Sequence, residues 1–151
     1  MRDLSSASSD VTERLGYRLK RAAAALRSAM DKVLREHGLT VPQYATLELL
    51  DQQPGLSNAQ LARGAFVTRQ SMNVVLRGLV DGGLVSRSSA AHHGRALPAL
   101  LTPEGGRRLA GARAAVYAVD ARITKSVPEH RLDDLLADLD HMADAVDRDE
   151  R

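Results

Sequence analysis

The chain has no cysteine and no tryptophan, and only one phenylalanine and three tyrosines among 151 residues. The absence of cysteine excludes a disulfide scaffold, a thiol redox sensor and a thiolate zinc site, and it fits a reducing cytoplasm. No apolar run is long enough to span a bilayer, and the opening MRDLSSASSD carries no apolar signal core, so no membrane partner is expected. Nucleophile–base patterns, phosphate-binding loops and spaced metal ligands are also missing, so neither an enzyme nor a cofactor is expected. His92 and His93 are adjacent on a small-residue loop. Neighbouring loop histidines point apart, and no cysteine or close acid completes a metal set; a loop tip or a phosphate contact is the reading that suits them, His93 included.

Acid is scarce in one place. Between Ser57 and Arg95 there are five arginines (63, 69, 77, 87 and 95) and a single acid, Asp81. The formal net charge is +2, but from Pro128 onward nine acids face three bases, a net of −6, which leaves +8 for the rest. A basic centre beside an acidic tail suits a module that binds a polyanion. A scattered, solvated surface would give the same totals, and composition alone does not separate the two.

What is present is mostly helical pattern. Residues 1 to about 11 are Ser-rich and polar, as a frayed terminus is. Leu15, Leu19, Ala22, Ala23, Leu26, Met30, Val33 and Leu34 recur at helical spacing and predict one long helix ending near His37-Gly38. Thr40-x-x-Gln43 and Ser57-x-x-Gln60 are two capping boxes, and Leu56 with Leu61 forms a hydrophobic staple around the second. The helix from Thr40 stops at Gln53-Pro54-Gly55, and the one from Ser57 is about two turns long.

Next comes FVTRQSMNVVLRGL, where Thr68 can cap and Val67 with Met72 makes another staple. Met72, Val75, Leu76 and Leu79 give it a buried face. Leu84 to Arg87 and Ala96 to Leu101 predict a hairpin whose second strand is confined to an edge by Pro98. A helix restarts at Thr102-Pro103-Glu104, and Pro128 opens the last one, with Leu132, Leu135, Leu136, Leu139, Met142 and Val146 along one stripe. The fold class expected is mainly α with a small β-hairpin wing: a winged helix-turn-helix between outer helices.

That centre suits double-stranded DNA. A major groove about 12 Å wide admits the second helix of such a motif. Its outward positions are Arg69, Gln70, Asn73, Val74 and Arg77. Arginine can pair bidentately with guanine, Gln or Asn with adenine, and an apolar group can meet a thymine methyl. An acid there would face phosphate. A helix start at Ser57 or Thr68 can also receive a phosphate.

The order of elements resembles the MarR family of bacterial transcriptional regulators over about residues 12 to 147. LTVPQYATLELL (39–50), LSNAQLARGAFVTRQSMNVVLRGLVDGGLVSR (56–87) and GRALPALLTPEGGRRL (94–109) carry the resemblance. The first is similar to the family's Leu-Thr-x-x-Gln helix start. The last is similar to its wing, where an arginine precedes a strand ending in Leu-Thr-x-x-Gly. The resemblance implies a homodimer that reads a palindromic operator, built as one MarR-like domain. Residues 12–38 and 103–147 would form the dimerisation helices and 40–102 the winged lobe.

The resemblance also implies that Thr68, Arg69, Gln70 and Asn73 read the major groove, that Arg95 enters the minor groove, and that Arg77 and Arg87 touch backbone. A crevice for a small aromatic or phenolic ligand is implied too, for which Tyr17, His37 and Tyr44 are candidates; each is equally well explained as a core residue with a polar tip. Repression in the cytoplasm, on the nucleoid, is the mode implied. Three positions depart from the family pattern: His93 where an acid often holds the wing arginine, Val74 where a polar residue is common, and Phe66 where the turn often has glycine. Gly64 nearby suggests a rearranged turn. The alternative function is a helical protein–protein interaction module that uses the winged domain without specific DNA binding, which the acidic last helix would suit.

Overall fold

The computed structural model describes residues 10–87 and 98–147, which divide into two compact units, one up to Val116 and one from Tyr117. The first unit opens with a short 3-10 turn, Val11–Glu13, capped by Asp10, whose Oδ1 accepts from Thr12 N at 2.9 Å. Helix α1 runs Leu15–Arg35. It ends as the sequence predicts. Gly38 takes φ +67°, and Leu39 N reaches back to Leu34 O at 3.1 Å, the six-to-one bond of a Schellman stop.

Helices α2 (Val41–Gln52) and α3 (Asn58–Gly64) each begin with the complete capping box read from the sequence. Thr40 Oγ1 accepts from Gln43 N and Gln43 Oε1 from Thr40 N; Ser57 and Gln60 do the same. Helix α4 spans Arg69–Asp81, with Thr68 Oγ1 accepting from Ser71 N at 3.0 Å. Met72, Leu76 and Leu79 on α4 are buried with Leu47 and Leu50 of α2 and Leu61 of α3 in one core. Thr46, fully buried, satisfies its hydroxyl on Pro42 O at 2.7 Å, so α2 crosses this core without an orphan polar group.

Strands β1 (Val85–Arg87) and β2 (Ala99–Leu101) pair antiparallel, Val85 with Leu101, Ser86 with Leu100 and Arg87 with Ala99. Val85 and Ala99 are buried while Ser86 and Leu100 are exposed, the alternation of a sheet with one covered face. Pro98 precedes the ladder, where a missing N–H costs nothing. The hairpin's base is tied down: Gly55 N donates to Ala99 O and Thr102 N to Leu84 O, each at 3.1 Å. Helix α5 (Pro103–Lys125) then starts at Thr102, whose Oγ1 accepts from Gly105 N at 3.0 Å and donates to Gly83 O at 2.6 Å.

The second unit holds the end of α5 and all of α6 (Glu129–Asp147), with Ser126 N and Val127 N closing the turn between them onto Ile123 O and Thr124 O. No residue of α6 is buried, and Leu136, Leu139 and Val146 of its apolar stripe are exposed. Among the described residues no helix is long and apolar enough to cross a membrane.

Candidate nucleic-acid interface

The turn between α3 and α4 sets how α4 is presented. Val67 N donates to Ala62 O at 3.0 Å and Phe66 N to Arg63 O at 3.3 Å, a Schellman pair that requires a left-handed residue at Phe66. Phe66 supplies it, with φ +57°, and is the only non-glycine with positive φ among the described residues. The rearrangement around Gly64 expected from the sequence does not occur. Gly64 ends α3 in helical conformation, and a Cβ there would lie 2.8 Å from Leu49 Cδ1. Glycine at 64 thus serves α2–α3 packing, and the unusual backbone falls on Phe66. Val67 packs against the core and Met72 is wholly buried, so both members of the staple sit where they can hold α4's entry angle.

With Met72, Leu76 and Leu79 turned inward, the opposite face of α4 is left outward. Arg69, Gln70, Asn73, Val74 and Arg77 are all exposed, Val74 to 65%. Arg87, at the outer end of β1, comes round to this face. A cleft of about 230 Å³ is lined by Asn73, Leu76, Arg77, Val80 and Arg87. Arg77 and Arg87 thus bring cations from a helix and a strand to one depression beside Asn73. Asn73 itself is held: Asn58 Nδ2 donates to Asn73 Oδ1. The caps at Ser57 and Thr68 are engaged within the protein, and Thr68 Oγ1 also donates to Ser71 Oγ at 3.0 Å. His93 and Arg95 lie outside the described residues, as does His92.

The three candidate ligand residues are placed elsewhere, and none lines this cleft. Tyr17 is exposed on α1. His37 is half-buried just past the end of α1, its carbonyl accepting from Arg108 Nη1 at 3.3 Å. Tyr44 is buried and donates its hydroxyl to Glu48 Oε1 at 2.6 Å. Glu48 is gripped in turn by Arg113 of α5, Nε on Oε1 at 2.9 Å and Nη2 on Oε2 at 2.8 Å, and Arg113 also bonds Asp51. The Arg113 hydrogen bond holds the Glu48 carboxyl below its ordinary pKa, and the bonds to Glu48 and Asp51 raise that of Arg113.

Two features of this unit were not read from the sequence: the Asn58–Asn73 bond and the Arg113 clamp. Asn58 sits inside a capping box, where its position already had an explanation. The clamp joins residues 65 apart, beyond any local pattern.

The MarR family model matches residues 37–96. The HTH-type transcriptional repressor Rv2887 of Mycobacterium tuberculosis is 49% identical over 109 residues, 72% of this chain and 78% of that protein. The chain belongs to the MarR family.

Solved MarR structures agree with that assignment. Rv2887 in complex with salicylic acid superposes with a TM-score of 0.69 at 42% identity, covering 85% of this chain and 96% of that one. The complex of Rv2887 with DNA gives 0.68 at 40%, covering 85% and 97%. The transcriptional repressor CouR bound to a 23-mer DNA duplex gives 0.79 at 29%, covering 89% and 96%. The MarR fold of a helical body with a two-stranded wing is therefore the fold of this chain, and α3 and α4 are its helix-turn-helix.

Proposed function

We propose that this MarR protein is a cytoplasmic, nucleoid-associated repressor without catalytic activity. It binds a palindromic operator as a homodimer and is released by a small aromatic acid. One observation carries the reading: the exposed face of α4 bears Arg69, Gln70, Asn73, Val74 and Arg77 with no acid before Asp81, the helix's last residue, and Arg87 joins it from the wing. Arg69, Gln70 and Asn73 are the base readers, Val74 meets a thymine methyl, and Arg77 and Arg87 hold phosphates. Thr68 and Ser57 orient the helices that carry these groups, and Arg95 and His93 are proposed as further DNA contacts.

The second unit supports the dimer. A helix with six apolar residues on one stripe and none buried is suited to a facing subunit. In a dimer of this family two α4 helices would enter successive major grooves about 34–36 Å apart. Helices 12–38 and 103–147 would form the interface and 40–102 the reading lobe. The complexes of Rv2887 with salicylic acid and with DNA support a ligand that acts by favouring a lobe spacing unsuited to the operator, shifting populations by its differential affinity. Tyr17, His37 and Tyr44 are the residues proposed for it.

Selection of bound sequences from a random DNA pool, followed by titration at several salt concentrations, tests this reading. A palindromic consensus is expected, with affinity falling steeply as salt rises, in proportion to the phosphates neutralised. A pool without enrichment, or binding indifferent to salt, would instead favour a protein-binding role. Light scattering that found only monomer at micromolar concentration would remove the dimer. A salicylate and p-aminosalicylate series that left operator binding unchanged would count against ligand release.

A further inference from the structure

Asn73 lies in the middle of the reading face, and its amide is engaged from behind. Asn58, the first residue of α3, donates from Nδ2 to Asn73 Oδ1. The Oδ1 of Asn58 is buried and has no hydrogen-bond partner among the described residues. A primary amide has two unlike ends: the oxygen only accepts, and the nitrogen only donates, with two hydrogens. The bond between α3 and α4 therefore selects which end of Asn73 is used inside the protein and which is left for DNA.

The opposite polarity would need both amides turned over. Asn73 Nδ2 would then donate to Asn58 Oδ1, and the Asn58 NH2 would occupy the buried position now held by its oxygen. That exchanges one unpartnered acceptor for an unpartnered group with two donors. Each unmet buried donor or acceptor pays its desolvation without return, so the observed polarity is the less costly of the two.

We propose that Asn58 is a positioning residue for sequence reading. It fixes the amide of Asn73 so that Nδ2 is offered to the DNA and selects a base edge carrying an acceptor. Bidentate pairing with adenine uses both ends of an asparagine amide, and here one end is already taken. Guanine N7 and O6, adenine N7 and thymine O4 all present acceptors in the major groove, whereas cytosine presents only its N4 donor. Asn73 held in this way discriminates chiefly against cytosine. The inference rests on the proposed reading face of α4.

The test uses the full-length protein and a random DNA pool, comparing wild type with Asn73→Ala, Asn58→Ala and Asn58→Asp. Asn73→Ala identifies the base position that Asn73 reads. Asn58→Ala is expected to relax discrimination against cytosine at that same position by about fivefold, the worth of one hydrogen bond. It should leave the melting temperature unlowered, because it also removes an oxygen without a partner. Asn58→Asp introduces a group that only accepts. It would draw Nδ2 of Asn73 inward, turn Oδ1 toward the DNA and invert the preference toward cytosine N4 or adenine N6.

The added negative charge lowers overall affinity, so the readout is relative preference at one position. A merely structural role for Asn58 would weaken all sequences alike and invert nothing. Unchanged preference in Asn58→Ala, loss spread evenly over all positions, or no inversion in Asn58→Asp would each overturn the proposal. If Asn73→Ala altered no position, the reading face would be wrong at that residue and the inference would fall with it.

Discussion

Arg113 holds Glu48 with two parallel hydrogen bonds, 2.9 Å from Nε and 2.8 Å from Nη2, across the gap from α5 to α2. The geometry is the fork-to-fork pairing that makes arginine–carboxylate contacts strong. The Arg113 and Glu48 side chains retain 30% and 17% of their exposure, so solvent screens the pair only in part. Removing the cation would leave a largely covered carboxylate with the Tyr44 hydroxyl. Arg113→Ala is expected to cost about 1–3 kcal/mol of unfolding free energy, read from urea denaturation. A double-mutant cycle with Glu48→Gln should show strong coupling; additive effects would mean that the pair contributes nothing as a pair.

The same contact predicts a pH dependence. Glu48 has its pKa lowered from an ordinary 4.5, first by the Arg113 hydrogen bond and also by the Tyr44 hydroxyl, while burial opposes both. A carboxylate depressed on folding contributes stability that is complete above its unfolded pKa and is lost as pH falls through the folded one. The wild type should therefore lose stability as pH drops below about 4.5, more steeply than Glu48→Gln does. Arg113 has its pKa raised, and that contribution would be lost only in strong alkali. Parallel pH–stability curves for the two proteins would refute this account.

Helix α4 was legible because every device that makes it is local: Thr68 caps it, Val67 and Met72 staple it, and Met72, Leu76 and Leu79 mark its buried face. The two capping boxes were legible for the same reason. The Arg113 clamp was not, since Glu48 and Asp51 show only that α2 carries acid, and no rule of spacing names a partner on α5. Asn58 was hidden differently: a residue within a capping box has a sufficient local role, and its bond to Asn73 depends on how two helices cross. Phe66 lay between these cases. The sequence marks its position as one that favours glycine and suggests a turn rearranged around Gly64; instead Phe66 itself takes the left-handed backbone, because Gly64 is occupied in letting Leu49 approach α3.

Gly105 and Gly106, adjacent in the first turn of α5, should respond oppositely to alanine. A Cβ on Gly105 would lie 2.0 Å from the carbonyl oxygen of Leu84. That oxygen already accepts from Thr102 N, so the backbone cannot yield without loosening the base of the wing. Gly105→Ala is expected to destabilise by about 1–3 kcal/mol or more. A Cβ on Gly106 meets nothing within 4 Å, and Gly106→Ala should stabilise by about 0.5–1 kcal/mol through helix propensity. Melting temperatures that moved in the same direction would show that the contact with Leu84 does not limit this turn.

On the reading face, residues that touch bases and residues that touch phosphate should separate experimentally. Arg69→Ala is expected to cost about 1–3 kcal/mol on the best operator and to relax preference at one or two neighbouring bases. Arg87→Ala, on the strand side of the cleft, should weaken all sequences alike and reduce the logarithmic salt slope by about 1. Binding isotherms at several salt concentrations on matched and mismatched operators distinguish the two. An Arg69→Ala protein that kept full affinity and preference would show that α4 does not present this face to the bases.

Phe66 is 94% exposed and left-handed at φ +57°, so its ring gains little from folding while its backbone is strained. A left-handed conformation costs an L-residue with a Cβ about 1–2 kcal/mol. Glycine removes that strain but loses about 0.5–1 kcal/mol through the extra freedom of its unfolded chain. Phe66→Gly should therefore be stabilised on balance, by up to about 1 kcal/mol, or roughly 2–4 °C in melting temperature for a chain of this size. Phe66→Ala keeps the strained Cβ and loses almost no buried surface, so it should stay within about 0.5 kcal/mol of wild type. A fall in melting temperature in both variants would mean that the ring contributes packing. A rise in Phe66→Gly alone would locate the cost in the backbone of the turn that presents α4.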